Sequence, residues 1–318
     1  MPLYLTEVDV DQLADMALAL EAVEGSLRRQ GEGLSANIGR RRARTPGAAL
    51  HVMGAADPRL GVAGAKVYLT GRVAGARFAV VLFDTASGDL AAIIEARRLG
   101  ELRTGAASGI SAKYLAHERV DTVGLIGAGR QARTQLEAVC ALRRPARVQV
   151  YARTPIRVAG FLRAAQREAA ADLQAVGSAE AAVRDAQIVI TATSAAQPVL
   201  QGEWLQPGMH VIAMGSNHPA HQELDAAAVA RADRIFVDDL DGAQQECGDL
   251  IAAHQAGTVQ WGQVLELGLV VAGRVPGRAR ADEITIFESQ GIALWDIALA
   301  HAVWKRAEAA GAGTRVGD

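Results

Sequence analysis

An apolar run from Val120 to Ile126 leads into Gly127-Ala128-Gly129, with Ala132 three residues further on. G-x-G-x-x-A between a strand and a helix is the spacing of a turn that receives a dinucleotide pyrophosphate. Gly127 permits the tight turn, Gly129 lets the backbone approach the phosphates, and the small Ala132 lets the helix pack close to the strand. The helix that follows, Gln131 to Leu142, aims its free N–H groups at the anion. A second strand at 147–151 ends in Ala152-Arg153-Thr154-Pro155. No Asp or Glu stands there to hold a ribose 2′-hydroxyl, and Arg153 with Thr154 suits a 2′-phosphate. NADP(H) is therefore favoured, with NAD(H) as the alternative if Arg153 is only an exposed turn residue. Thr191-Ala192-Thr193-Ser194 closes a later strand, where its hydroxyls either meet the cofactor or simply end the strand.

A second set of residues suits a carboxylate. Arg40-Arg41-Arg42-Ala43-Arg44 precedes a turn at Thr45-Pro46-Gly47. In an extended segment Arg40, Arg42 and Arg44 share one face and Arg41 takes the other. The run is either a solvated charge cluster or the source of a guanidinium fork for a carboxylate. Lys66 lies in the apolar stretch Val-Ala-Gly-Ala-Lys-Val-Tyr-Leu-Thr. It either reaches solvent or faces a pocket, where burial and neighbouring cations would lower its pKa and fit it for proton transfer. Arg103, placed at the start of a helix from Thr104, opposes the helix dipole unless an anion sits beside it. His218 and His221 flank Pro219 without a carboxylate cluster, so no metal site is expected.

The surrounding elements must position these groups. The chain has 318 residues, half of them hydrophobic and 4% aromatic, so Ala, Val, Leu and Ile build the core. A formal charge of −2 argues against a nucleic-acid or membrane-surface partner. No apolar run reaches the length of a membrane span, and the N-terminus lacks a basic start followed by an apolar core. Cys140 and Cys247 make no disulfide framework. A soluble cytoplasmic protein is the expectation. Apolar spacing predicts a helix over 9–30 with Asp9 as N-cap, and strands at 48–53, 62–70 and 77–83 joined by Gly-rich turns. A hairpin is expected around Ser87-Gly88, followed by a helix from Leu99 to His117. From Val120 the rhythm becomes strand and helix in alternation, with strands at 121–126, 147–151, 173–176, 187–192, 209–214 and 234–237. A last helix spans Trp295 to Ala310. The fold class is α/β: a Rossmann-type doubly wound parallel sheet domain over 119–295, plus a discontinuous α+β domain from 1–118 and 296–318.

Several segments together resemble the ornithine cyclodeaminase/μ-crystallin family. They are Val81-Leu82-Phe83-Asp84 with Ser87-Gly88, Leu102 to Ser108, Leu125 to Ala132, Met214-Gly215-Ser216-Asn217, Asp282 to Phe287, and Ser289 to Ala293. The likeness runs in one order from about residue 37 to residue 305. It implies a homodimer formed through the first domain, and an active site in the cleft at the carboxyl ends of the strands. It also implies an NAD(P)-dependent oxidoreductase acting on small α-imino or α-amino acids. The alternatives within the family are an ornithine-type cyclodeaminase that releases ammonia with tightly bound NAD, and a non-catalytic NADP-linked ligand-binding protein.

By the same resemblance Arg42, four residues before the proline, binds substrate carboxylate together with Lys66 and Arg103, and Gln290 is a further substrate-binding residue. Lys66 and Asn217 are the implied catalytic positions. The implied cofactor contacts are Arg103, Thr104, Gly127, Ala128, Gly129, Arg130, Gln131, Arg153, Thr154, Thr193, Met214, Gly215, Ser216, His221 and Ser289. The chain departs from the cyclodeaminases in the loop after the fifth strand. Asn217 stands where they have Asp, and His221 where they have Lys. An amide cannot exchange protons as a carboxylate does, so Asn217 would instead orient an amine or imine nitrogen, or the ribose.

Overall fold

The structure, a computed structural model, describes residues 1–71 and 77–317. The turn expected between the strands at 62–70 and 77–83 lies outside the described residues. The chain forms two compact units, Met1–Arg103 with the chain from Ile292 onward, and Thr104–Gly291. These divisions fall at 103/104 and 291/292, where the sequence suggested 118/119 and 295/296. The first difference has a packing cause within the second unit. Gly105 and Gly109 bring the helix Arg97–Leu115 against the helix Arg130–Arg143, where a Cβ on Gly105 would strike the Thr134 carbonyl.

The first unit is a seven-stranded sheet. Its strands are β1 (Leu3–Leu5), β2 (Ala36–Thr45), β3 (Ala48–Asp57), β4 (Val62–Gly71), β5 (Arg77–Asp84), β6 (Leu90–Glu95) and, near the chain's end, β15 (Thr314–Arg315). The order is β15-β1-β6-β5-β4-β3-β2, antiparallel except for the β1–β6 pair. Alternation along the strands turns Met53, Lys66, Val80, Leu82 and Ile94 to the buried face. The helix Ala293–Ala310 covers that face, and a Cβ at Gly64 would come within 2.8 Å of the Ile297 side chain. On the opposite face Leu50, Val52 and Phe83 are exposed.

Two expectations change here. The helix predicted over 9–30 is two helices, Glu7–Leu13 and Met16–Gly31, because Ala14 is extended and Asp15 caps the second by accepting from the Leu18 N–H at 2.7 Å. The first helix is capped by Thr6; Asp9 is its capping-box partner, its Oδ2 accepting from the Thr6 N–H at 2.8 Å. The arginine run proves to be an edge strand, β2, with Arg40 buried, Arg42 half-buried, and Arg41 and Arg44 exposed.

The second unit is a parallel sheet of eight strands. These are β7 (Thr122–Ile126), β8 (Arg147–Tyr151), β9 (Asp172–Ala175), β10 (Ile188–Thr191), β11 (His210–Ala213), β12 (Arg234–Val237), β13 (Val264–Glu266) and β14 (Thr285–Glu288). Their order is β13-β12-β14-β11-β10-β7-β8-β9. The winding reverses between β7 and β10, the switch point at whose carboxyl ends doubly wound sheets bind ligands. Six strands lie where the sequence put them, within a residue or two. β13 and β14 were not predicted: β13 has only three residues, and β14 is buried throughout and so shows no alternation. Among the described residues, no helix is long and apolar enough to cross a membrane.

Candidate functional site

In the second unit, the strand–turn–helix read from the sequence forms one wall of a cavity of about 540 Å³. Gly127 has φ +127°, and a Cβ there would strike the Ala192 carbonyl, so glycine is required for the β7 turn to pass the end of β10. Gly129 is the N-cap of the helix Arg130–Arg143 and gives it no side-chain cap. A Cβ at Gly129 would meet nothing within 4 Å, so the helix N-terminus opens onto free space. Ala132 is fully buried. Free N–H groups, a positive dipole end and an open approach together suit a pyrophosphate. Opposite them the cavity is lined by Arg153, Thr154 and Arg157 after β8, Thr193 and Ser194 after β10, and Met214 and Gly215 after β11. Among the described residues, no carboxylate lines it.

In the first unit, two cations meet on one carboxylate. Asp296, fully buried near the start of the helix Ala293–Ala310, accepts from Lys66 Nζ at 2.7 Å and from Arg103 Nε at 3.2 Å through Oδ1. Its Oδ2 is buried and accepts no hydrogen bond among the described residues. Lys66 is 3% exposed and its pKa is pulled down to about 8, chiefly by burial; Arg103 and Arg40 deepen the fall and Asp296 opposes it. The Lys66 ammonium lies 5.6 Å from the Phe78 ring and 5.9 Å from Tyr68, and Arg103 lies 5.9 Å from Trp295. Beside them His51, opposite Arg42 in the β2–β3 register, stacks on Tyr68 at 4.3 Å and bonds Thr70 Oγ1 at 2.8 Å. Burial, then Arg42, Arg40 and Arg44, push its pKa down to about 4, so His51 is a neutral ring.

The profile of the ornithine cyclodeaminase/mu-crystallin family matches residues 2–311. The chain belongs to this family. A family relative, the Delta(1)-pyrroline-2-carboxylate reductase of Bacillus cereus, is 37% identical over 238 residues, 74% of this chain and 73% of that one. The Thermococcus litoralis Delta(1)-pyrroline-2-carboxylate reductase, solved with NADH and L-proline, superposes with a TM-score of 0.94 at 30% identity. That match covers 99% of this chain and 100% of the other. An archaeal alanine dehydrogenase dimer with bound NAD gives 0.93 at 30% identity, covering 99% of each chain.

Of the residues expected to bind cofactor, Gly127, Ala128, Gly129, Arg130, Gln131, Arg153, Thr154, Thr193, Met214 and Gly215 line the one cavity. Thr104, Ser216, His221 and Ser289 are in the same unit but do not line it. Ser289 is buried and donates to Asp238 Oδ2 at 2.7 Å. Arg103 lies in the first unit with Lys66, and it is not a helix-start cation. Its helix begins at Arg97, where Glu7 accepts from the Arg97 and Arg98 N–H groups at 2.6 and 3.0 Å, so Arg103 sits more than a turn in and finds its anion in Asp296. Arg42 is half-buried on β2, Gln290 is buried in the second unit, and Asn217 is exposed.

Sequence reasoning missed Asp296, His51 and Glu223, and it named Arg40 only as one of the arginine run. The signal for Asp296 was a lone acid in the apolar helix start Ala-Leu-Trp-Asp-Ile-Ala-Leu-Ala. Cys247, Asp249 and Glu288 bring ligand-type atoms within 4.8 Å of one another. Burial raises Asp249 to about 7 and Glu288 well above the usual carboxylate range, so this group holds protons near neutrality.

The opposing influences on Lys66 give a test. Asp296 raises the Lys66 pKa, so Asp296→Asn should lower it further below about 8. An NMR titration of labelled lysine side chains would read both proteins. An Asp296→Asn pKa equal to or above the parent's would overturn this electrostatic assignment.

Proposed function

We propose that this chain is an NAD(P)-dependent oxidoreductase of small α-imino and α-amino acids, a ketimine or cyclic-imine reductase or an amino-acid dehydrogenase. The observation that carries the reading is Lys66, a buried amine held near neutral pKa beside the Arg103 guanidinium. The activities named for the relatives agree with it. Arg42, Lys66 and Arg103 bind the substrate carboxylate, the arginines by their planar forks. Asp296 already answers Lys66 and Arg103 through one oxygen, and a substrate carboxylate is a second anion for these cations. When bound, the reduced nicotinamide supplies the hydride for Cα. Lys66, with a pKa near neutrality, gives the nitrogen its proton or takes it back in the reverse direction. Asn217 orients the nitrogen; as an amide it does not shuttle protons.

The dinucleotide occupies the cavity beside Gly129, its pyrophosphate at the helix N-terminus. NADPH is the preferred form, because exposed Arg153 stands beside Thr154 and Arg157 on a wall to which no described residue brings a carboxylate. The working protein is a cytoplasmic homodimer joined through the face of the first sheet that exposes Leu50, Val52 and Phe83, since apolar surface of that kind is stabilised by burial against a second copy.

Reduction of cyclic and linear α-imino acids with either cofactor, followed by loss of reduced-nicotinamide absorbance, tests the activity. Turnover of at least one imino acid is expected, and none with either cofactor would refute the reading. On the best substrate, Lys66→Met should depress kcat more than it raises KM, because it removes a proton donor as well as a contact. A near-native kcat would remove Lys66 from catalysis. Arg153→Ala should weaken NADPH by about 1.5–3 kcal/mol, the scale of a hydrogen bond to a charged group, and spare NADH. Equal losses for both cofactors would sink the NADPH preference. Sedimentation should give twice the chain mass, falling towards the monomer in Leu50→Glu/Val52→Glu; a monomeric parent contradicts the dimer.

A further inference from the structure

Glu223 has no part in the roles assigned so far, yet its carboxylate is among the most completely bonded in the second unit. It is 1% exposed. Oε2 accepts from Thr191 Oγ1 at 3.0 Å and from the Gly215 N–H at 2.7 Å. Oε1 accepts from the Thr193 N–H at 2.7 Å and from Thr193 Oγ1 at 2.6 Å. Thr191 ends β10, and Gly215 follows the end of β11 by two residues. One side chain therefore ties together the carboxyl ends of two neighbouring strands, at the edge of the cavity that Thr193 and Gly215 line.

The arrangement accepts little else. Both backbone partners can only donate, so each of the two oxygens facing them has to accept, as the oxygens of a carboxyl group can. An amide of the same shape would turn N–H donors towards N–H donors and leave some unpaired in a buried place. A Cβ at residue 215 would occupy the position of the carboxylate, which explains a glycine there without any call for positive φ. The backbone of Glu223 is fixed from both sides. Its N–H and that of Leu224 donate to Asp249 Oδ1 at 2.9 and 3.0 Å, and its carbonyl accepts from Val199 and Leu200 at 2.8 and 2.9 Å. Glu223 thus acts as a strut, its backbone held by Asp249 and its side chain by the two loops.

We propose that Glu223 is a positioning residue for the dinucleotide, its carboxylate holding Thr193 and Gly215 in the arrangement that meets the cofactor. The inference rests on the reading of this cavity as the cofactor site. Cofactor affinity should then depend on Glu223, while the chemical step does not. A residue that merely supported the fold would change neither selectively.

The test uses the full chain and two variants, Glu223→Gln and Thr191→Val, with NADH and NADPH as probes. Binding is read by nicotinamide fluorescence, and KM and kcat on the best imino acid. Glu223→Gln should raise the cofactor Kd and KM about tenfold or more, the scale of one charge-assisted bond or one buried unpaired donor. Its kcat at saturating cofactor and its KM for the imino acid should stay within about threefold, a change worth under one hydrogen bond. Thr191→Val removes a single donor and should move cofactor affinity a few-fold in the same direction; it decides the matter if Glu223→Gln does not fold. Cofactor affinity within twofold of the parent in the folded variants, or a loss confined to kcat, would overturn the proposal. A parent that binds neither cofactor would overturn the cavity reading and this inference with it. A parent that binds normally beside variants that bind equally well would overturn this inference alone.

Discussion

A carboxylate taken out of water has to be met by donors, and each unit is organised around one such group. Leaving a buried charge unmatched costs several kcal/mol, a large part of a domain's net stability. Asp296 meets this requirement with charged donors, Lys66 from β4 and Arg103 from the helix Arg97–Leu115. Glu223 meets it with neutral ones, two hydroxyls and two backbone N–H groups. The two solutions have different consequences. Where the donors are charged, burial leaves one of them an amine with a pKa of about 8, which is a chemical property. Neutral donors fix loop geometry, which is a steric one.

A third group of acids shows the alternative. Asp249 and Glu288 lie together with Cys247; burial raises both carboxyls, the Glu223 charge adds to each, and the Asp249 charge raises Glu288 further. Protons do there what Lys66 and Arg103 do for Asp296. Asp249 spends one oxygen on the backbone of Glu223 and Leu224, so even this protonated group contributes to the strut beneath the cavity.

The glycines work by close approach more than by flexibility. Gly105 and Gly109 bring two helices together, Gly64 receives Ile297, and Gly215 makes room for Glu223. Gly127 alone among the sequence-marked site glycines needs both the space and a positive φ. This is consistent with a core of small and branched aliphatic residues and few aromatics, in which backbones lie near one another and a single added methyl is felt.

The sequence by itself determined the elements whose signals are local. The β7 turn, the Arg153-Thr154 pair after β8, six strands of the parallel sheet and the last helix follow from spacing, turn chemistry and periodicity, which depend on residues near one another in the chain. Its family followed as well, because ordered motifs persist across relatives. Other features depend on residues far apart. β14 enters the sheet between β11 and β12, a placement that no periodicity encodes. Lys66 and Asp296 are separated by 230 positions, and Thr191 and Glu223 by 32. Whether a cation on a strand is solvated or buried, whether Arg40 or Arg44 turns inward, and which acid answers which base were decided only by tertiary structure. The physical reason is that a charge's environment is set by whatever packs against it, and packing is a property of the folded chain.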